Sequence, residues 1–232
     1  MASLLDRDVW TMTERKEHQR KAIYNVKPIK TKKGLEDFRG ALLIGNLDAL
    51  SGNRSGKRNL MLFDFGVNTG LRVSDIVRLK VKQVQNKNRF TIREIKTGKE
   101  RTIFIKNIRK ELSNYIYEMK LKPDDFLFPS RKHGYHVSTT QVYRFLVKAG
   151  KHCNRNDIGT HTMRKTFGYW YYKQGGSIEN LMHIFNHSSE AITKRYIGID
   201  QEDIEKSLQN FHIWKKRNEP RKLYFIGSLF CL

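Results

Sequence analysis

Apolar side chains along this chain recur at two spacings, and the spacings predict its elements. Leu35, Phe38, Leu42 and Leu43 fall three to four residues apart, the repeat of a helix with one buried face, over residues 35–50. A second, largely buried helix is expected over 59–68, where Thr69-Gly70 breaks it, and a short helix over 73–80. The pattern then changes. Residues 89–95 and 102–105 flank Lys96-Thr97-Gly98-Lys99, which reads as a β-hairpin with a glycine turn. Helical spacing returns over 110–120, 138–153, 161–174, 178–185 and 200–211, with Pro123 and Pro129 punctuating the loop between the first two. No internal repeat interrupts this order. The fold class is α+β, mostly helical with one small antiparallel sheet.

Charge narrows the choice of partner. Lys and Arg number 45 against 23 Asp and Glu, a formal net charge of +22. Such an excess favours a polyanion, because every phosphate neutralised releases a counterion. Hydrophobic residues at 38% and aromatics at 11% suffice for a packed domain. The N-terminus has no apolar signal-peptide core, and the longest apolar stretch, 223–232, is interrupted by Gly227 and Ser228 and is too short to span a bilayer. The two cysteines, Cys153 and Cys231, point to a reducing cytoplasm and no disulfide framework. A nucleic acid is therefore the expected partner, with no membrane association.

Three local patterns carry chemistry. Gly70-Leu71-Arg72-Val73-Ser74-Asp75 sets an arginine at a turn that enters a helix, where backbone N–H groups and a guanidinium both favour phosphate. His161-Thr162-Met163-Arg164 pairs imidazole and guanidinium at a spacing of three, on one helical face. Asn186-His187-Ser188-Ser189 is followed by Thr193-Lys194-Arg195-Tyr196, a second histidine with a tyrosine nine residues later. Each alone is unspecific: a surface arginine, a common HxxR, one tyrosine among ten. A zinc site from His133, His136, His152 and Cys153 matches no strong ligand spacing, so no metal is expected.

Taken in order, GLRVSD, Lys96, HTMRKTF, IFNHSS and TKRYIG resemble the signature boxes of the tyrosine recombinase (phage integrase) family, over residues 35 to 211. Asp75 stands where that family usually has Glu, Met163 where Leu is usual, Lys165 where a second His is common, and Phe185-Asn186 where Leu-Gly is usual. Asn at 186 can supply the left-handed conformation of the missing glycine. The resemblance implies DNA cleavage and rejoining through a 3′-phosphotyrosine, by a soluble DNA-associated protein of prokaryotic or viral origin. Tyr196 is then the nucleophile and His161 its base. Arg72 and Arg164 clamp the phosphate, His187 donates to a phosphate oxygen, and Lys96 protonates the leaving 5′-oxygen, with Lys99 its rival. Bond energy is retained, so neither ATP nor another cofactor is expected. A catalytically silent DNA-binding regulator and a type IB topoisomerase-like enzyme are the alternatives.

The expected organisation is a basic arm over residues 1–34, a catalytic domain over 35–213 and a C-terminal tail over 214–232. The family usually carries a separate N-terminal core-binding domain, for which the arm is too short. It also exchanges C-terminal segments within a tetramer on DNA, and the apolar residues after Pro220 suit that part.

Overall fold

The computed structural model describes residues 26–44, 53–132 and 134–199, with Glu205 and Leu208 beyond them. The chain divides into one unit ending at Ile199 and another beginning at Asp200. Glu205 and Leu208 are helical. The remainder of the helix expected at 200–211, the tail at 214–232, His133, residues 45–50 of the first helix and residues 1–25 lie outside the described residues.

Helix α1 (Lys32–Ile44) buries Phe38, Ala41 and Leu42, the face its periodicity marks. Helix α2 (Arg54–Thr69) begins earlier than expected. Its polar first turns are tied down: Arg54 Nη2 donates to the Met119 carbonyl and Arg58 Nη1 to that of Pro129, each at 2.9 Å. At its end Gly70 takes φ +62°, and a Cβ there would meet the Phe167 ring at 2.4 Å. Only glycine combines that backbone with so close a neighbour.

The helix expected over 73–80 is shorter: α3 (Val73–Ile76) is a single turn. The backbone beyond it bonds elsewhere. Leu79 accepts from Leu127 N–H, Val81 N–H donates to Asp125 and Lys82 N–H to Pro123, so the chain leaves the helix to pair with the following loop. A further turn, α4 (Val81–Val84), follows. Strands β1 (Arg89–Arg93) and β2 (Glu100–Phe104) pair antiparallel with Thr91 opposite Thr102, and Phe90 and Ile92 point into the core. β1 starts where expected and ends two residues before 95, while β2 starts two residues before 102 and ends one before 105, because Glu94 and Lys99 close the turn: Glu94 N–H donates to Lys99 O and Gly98 N–H to Glu94 O.

A 3₁₀ turn at Lys106–Ile108 leads into α5 (Arg109–Glu118). Helix α6 (Thr139–His152) starts at a capping box in which Ser138 and Gln141 satisfy each other's backbone N–H groups. Helices α7 (Thr162–Lys173), α8 (Ile178–Phe185) and α9 (Glu190–Ile197) complete the unit.

Two apolar clusters hold these elements. The larger runs from Ile29 to Met163 and includes Phe38, Phe63, Phe65 and Phe128; the smaller joins Ile178, Leu181, Phe185 and Ile197 to Phe167 and Tyr196. Helix α7 serves both, through Met163 on one side and Phe167 on the other. Residues 26–31, which the sequence suggested to be arm, pack along α7. Ile29 is buried, its N–H donates to Thr166 Oγ1 and its carbonyl accepts from Trp170 Nε1, both at 2.9 Å.

Candidate active site

The six residues singled out in the sequence come from four places: Arg72 before α3, Lys96 in the hairpin turn, His161 and Arg164 at the start of α7, and His187 and Tyr196 before and on α9. The fold gathers Arg164, His187 and Tyr196 around the Phe185 ring, sets His161 against Tyr196, and places Arg72 and Lys96 close enough for their charges to act on His161.

Arg164 is the most enclosed, 4% exposed. Its Nη1 donates to the Gly70 carbonyl at 2.6 Å, and the guanidinium lies 4.5 Å above the Phe185 ring. The glycine turn thus orients the second arginine as well as closing α2. Burial, ahead of the opposing Tyr196 contribution, lowers the Arg164 pKa to about 10, so the group stays charged at neutral pH. Arg72 is held by a different device. Its Nη1 donates to Glu94 Oε2 at 2.6 Å, and the same oxygen accepts from Thr97 Oγ1 at 2.9 Å. Burial pushes the Glu94 carboxyl up, but the Arg72 and Thr97 hydrogen bonds outweigh it and hold the group below its ordinary value. One carboxylate therefore links the arginine to the turn that carries Lys96.

His161 has helical backbone angles although α7 is counted from Thr162, and its carbonyl accepts from Lys165 N–H. It therefore shares a helical face with Arg164, as the spacing predicts. Its Nδ1 lies 3.1 Å from the Tyr196 hydroxyl. Burial first, then the charges of Lys165, Arg164, Lys96 and Arg72, lower the imidazole pKa to about 4. The ring is neutral at physiological pH and can take the phenolic proton at Nδ1 when the other nitrogen carries the ring hydrogen. Burial raises the Tyr196 phenol above its ordinary value, while Arg164 and Arg72 oppose that rise. The two guanidinium groups thus favour the phenolate form of this side chain.

His187 follows Asn186, which takes φ +56° and ψ +50°, the left-handed cap expected of it. His187 Nδ1 lies 3.1 Å from Thr193 Oγ1, whose own proton goes to the Ser189 carbonyl at 3.0 Å. Thr193 can then only accept, so Nδ1 carries the hydrogen and Nε2 of the neutral ring is bare. His187 becomes a second donor when a nearby anion draws a proton onto Nε2. Of the two hairpin lysines, Lys99 Nζ is engaged with Asn186 Oδ1 at 2.5 Å, whereas Lys96 is exposed and close enough to act on His161.

Sequence reasoning did not single out Glu94. The signal was present: Glu94 continues the alternation of Phe90 and Ile92, so it falls on the buried face of the strand, where an acid needs a cationic partner. Asp75 is also buried, and its Oδ1 accepts from the Ile95 N–H at 3.0 Å, tying the first box to the hairpin. Among the described residues, no group of three or more His, Cys, Asp or Glu is placed to hold a metal ion, and no helix is long and apolar enough to cross a membrane.

The chain is a basic, mostly helical domain with two arginines, two histidines and a tyrosine drawn near one another, and it belongs to a known class: residues 43–203 match the phage integrase family, the tyrosine recombinases. Among individual proteins it is similar to the probable integrase/recombinase YoeC of Bacillus subtilis (strain 168), 41% identical over 178 residues, which cover 76% of this chain and 92% of YoeC. The tyrosine recombinase XerC of Staphylococcus epidermidis is 27% identical over 173 residues, 72% of this chain and 58% of XerC. The fold resembles the XerH site-specific recombinase bound to its difH substrate, with a TM-score of 0.60 at 21% identity over 82% of this chain and 54% of XerH. It likewise resembles the XerA recombinase, with a TM-score of 0.58 at 20% identity over 80% of this chain and 65% of XerA. The chain thus spans little more than half the length of XerC and XerH.

Proposed function

We propose that this protein is a site-specific DNA recombinase that cuts and rejoins double-stranded DNA through Tyr196. The observation that carries the reading is the 3.1 Å approach of His161 Nδ1 to the Tyr196 hydroxyl, with Arg164 and Arg72 both acting on that phenol. A tyrosine with an ordinary pKa near 10 is a poor nucleophile until its proton has somewhere to go. Here His161 receives it as the phenolic oxygen bonds to phosphorus. The bond from phosphorus to the 5′-oxygen breaks, and Lys96 gives that oxygen a proton. Arg72 and Arg164 neutralise the charge that builds on the non-bridging oxygens, and His187, protonated on Nε2 beside the phosphate, donates to one of them. The products are a 3′-phosphotyrosine and a free 5′-hydroxyl; religation runs the same steps backwards, with no ATP consumed. Assembly as a tetramer on DNA, with the C-terminal tail exchanged between subunits, belongs to the same proposal. So does a cytoplasmic, DNA-associated location in a bacterial or viral setting.

The direct test is a nicked duplex in which the released end diffuses away, incubated with the full chain and resolved on a denaturing gel. A covalent protein–DNA band is expected; its absence across a range of duplex sequences sinks the proposal. Exchange of flanking strands in the product separates recombination from simple relaxation of supercoils.

The two hairpin lysines make a sharper prediction. Lys96→Ala is expected to cleave ordinary DNA slowly and to recover on DNA with sulfur at the 5′-bridging position, since a thiolate leaves without a proton. If Lys99→Ala alone is rescued in this way, the general acid is Lys99 and the assignment of Lys96 is wrong.

A further inference from the structure

Lys165 stands where the family commonly has a second histidine, and none of the steps above uses it. It is a lysine only 4% exposed, in the first turns of α7. Its ammonium donates to the Val26 carbonyl at 2.6 Å and lies 5.2 Å from the centre of the Tyr196 ring. Val26 lies in the segment that runs along α7, where Lys27 N–H also donates to the Asp157 carbonyl at 2.9 Å and Arg155 Nη2 to that of Pro28 at 3.1 Å. A buried ammonium is costly unless its donors are met, and the carbonyl and the aromatic face meet part of that need.

We infer that Lys165 is a positioning residue of the cleavage site: anchored by the carbonyl of Val26, its charge steadies the Tyr196 ring and acts on the His161–Tyr196 pair, which makes residues 26–31 a wall of the active site. The inference rests on the reading of Tyr196 as nucleophile and His161 as base, and it deepens that reading.

The groups facing His161 are Arg164 and Lys165 on its own helix, Lys96 from the hairpin, Arg72 from the start of α3 and the Tyr196 phenol from α9. Burial is the largest influence on the ring and Lys165 the largest of the charges; both disfavour the imidazolium. A DNA phosphate entering the site pulls the other way, because an anion favours the protonated ring. Lys165 opposes that pull and leaves His161 able to accept the proton of Tyr196 while the phosphate is bound. A histidine at 165 would be neutral over most of the physiological range and would exert less of this effect.

Three measurements on the full chain test this. The first is the titration midpoint of the His161 ring by NMR, without DNA, in the wild type, Lys165→Gln and Lys165→Arg. Glutamine keeps a donor for the Val26 carbonyl and removes the charge; arginine keeps both. The midpoint is expected to rise from about 4 by roughly one pH unit in Lys165→Gln and to stay near the wild-type value in Lys165→Arg. The second is the rate of adduct formation across pH. Lys165→Gln should match the wild type at alkaline pH and fall behind by up to about tenfold as the solution is acidified, the ratio a one-unit shift sets. The third covers poor folding of Lys165→Gln. Thr166→Val removes the hydroxyl that holds Ile29, loosens the segment and should move the His161 midpoint in the same direction by a smaller amount.

An unchanged midpoint in both Lys165→Gln and Thr166→Val overturns the inference. So does a rate loss that is equal at every pH, which would make Lys165 a purely structural contact. The midpoint is read without any reaction. If the wild type forms no adduct, the proposed function therefore fails on that result, while the electrostatic role of Lys165 is still decided by the midpoint.

Discussion

Tyr196→Phe is expected to abolish the covalent adduct while leaving DNA affinity nearly unchanged. The ring sits in a packed setting that phenylalanine reproduces: its centroid is 5.3 Å from Phe185, 5.0 Å from His187 and 6.3 Å from His161. What is lost is one oxygen and its 3.1 Å contact with His161, worth about 0.5–1.5 kcal/mol to stability. The rate loss has no such bound, since no other group takes over the bond to phosphorus. A drop on the order of a millionfold matches what removal of a covalent nucleophile costs elsewhere. Adduct formation by the variant would identify a different tyrosine as the nucleophile, and peptide mapping of the trapped complex would show which.

The second large effect is expected at the arginines. Arg164→Lys keeps a positive charge but gives up the planar fork that now reaches the Gly70 carbonyl at 2.6 Å, with longer contacts at 3.4 Å to the carbonyls of Ile184 and Phe185. A lysine cannot hold those carbonyls and the phosphate together. The rate of adduct formation should fall by about 10²–10³-fold, the size of a lost transition-state donor, with a much smaller change in affinity. Arg72→Ala should lose rate to a similar degree and also lower the melting temperature, because Glu94 would remain buried without its principal partner. Equal losses of rate and affinity in both variants would make them ordinary phosphate contacts rather than groups tuned to the reaction.

Much of the site was legible because its residues sit in short motifs whose local geometry is set locally. His161 and Arg164 share a helical face by spacing alone. Asn186 takes the left-handed cap its residue type allows. The turn at Gly70 was visible as a helix breaker, although its carbonyl as a support for Arg164 was not. The helix that carries Tyr196 was missed: Glu190–Ile197 is only two turns long and half polar, with Ser189 at its start accepting from Ile192 N–H as the principal local sign. The excess length given to the helix at 73–80 has the opposite cause. Val73, Ile76 and Val77 keep helical spacing, but from Leu79 onward the backbone finds partners in the loop at 123–127.

By itself the sequence determined the mostly helical class, the places where helices break, the basic character of the chain and the types and order of the candidate site residues. These follow from periodicity, turn chemistry and charge, which need no knowledge of distant neighbours. Only the tertiary structure decided which groups meet. The Glu94 carboxylate joins Arg72 to the hairpin across 22 positions, Lys99 reaches Asn186 across 87, and residues 26–31 lie against α7, more than a hundred positions away. Such contacts depend on how buried faces pack and on where buried charges find partners, and a local pattern of residues does not encode either.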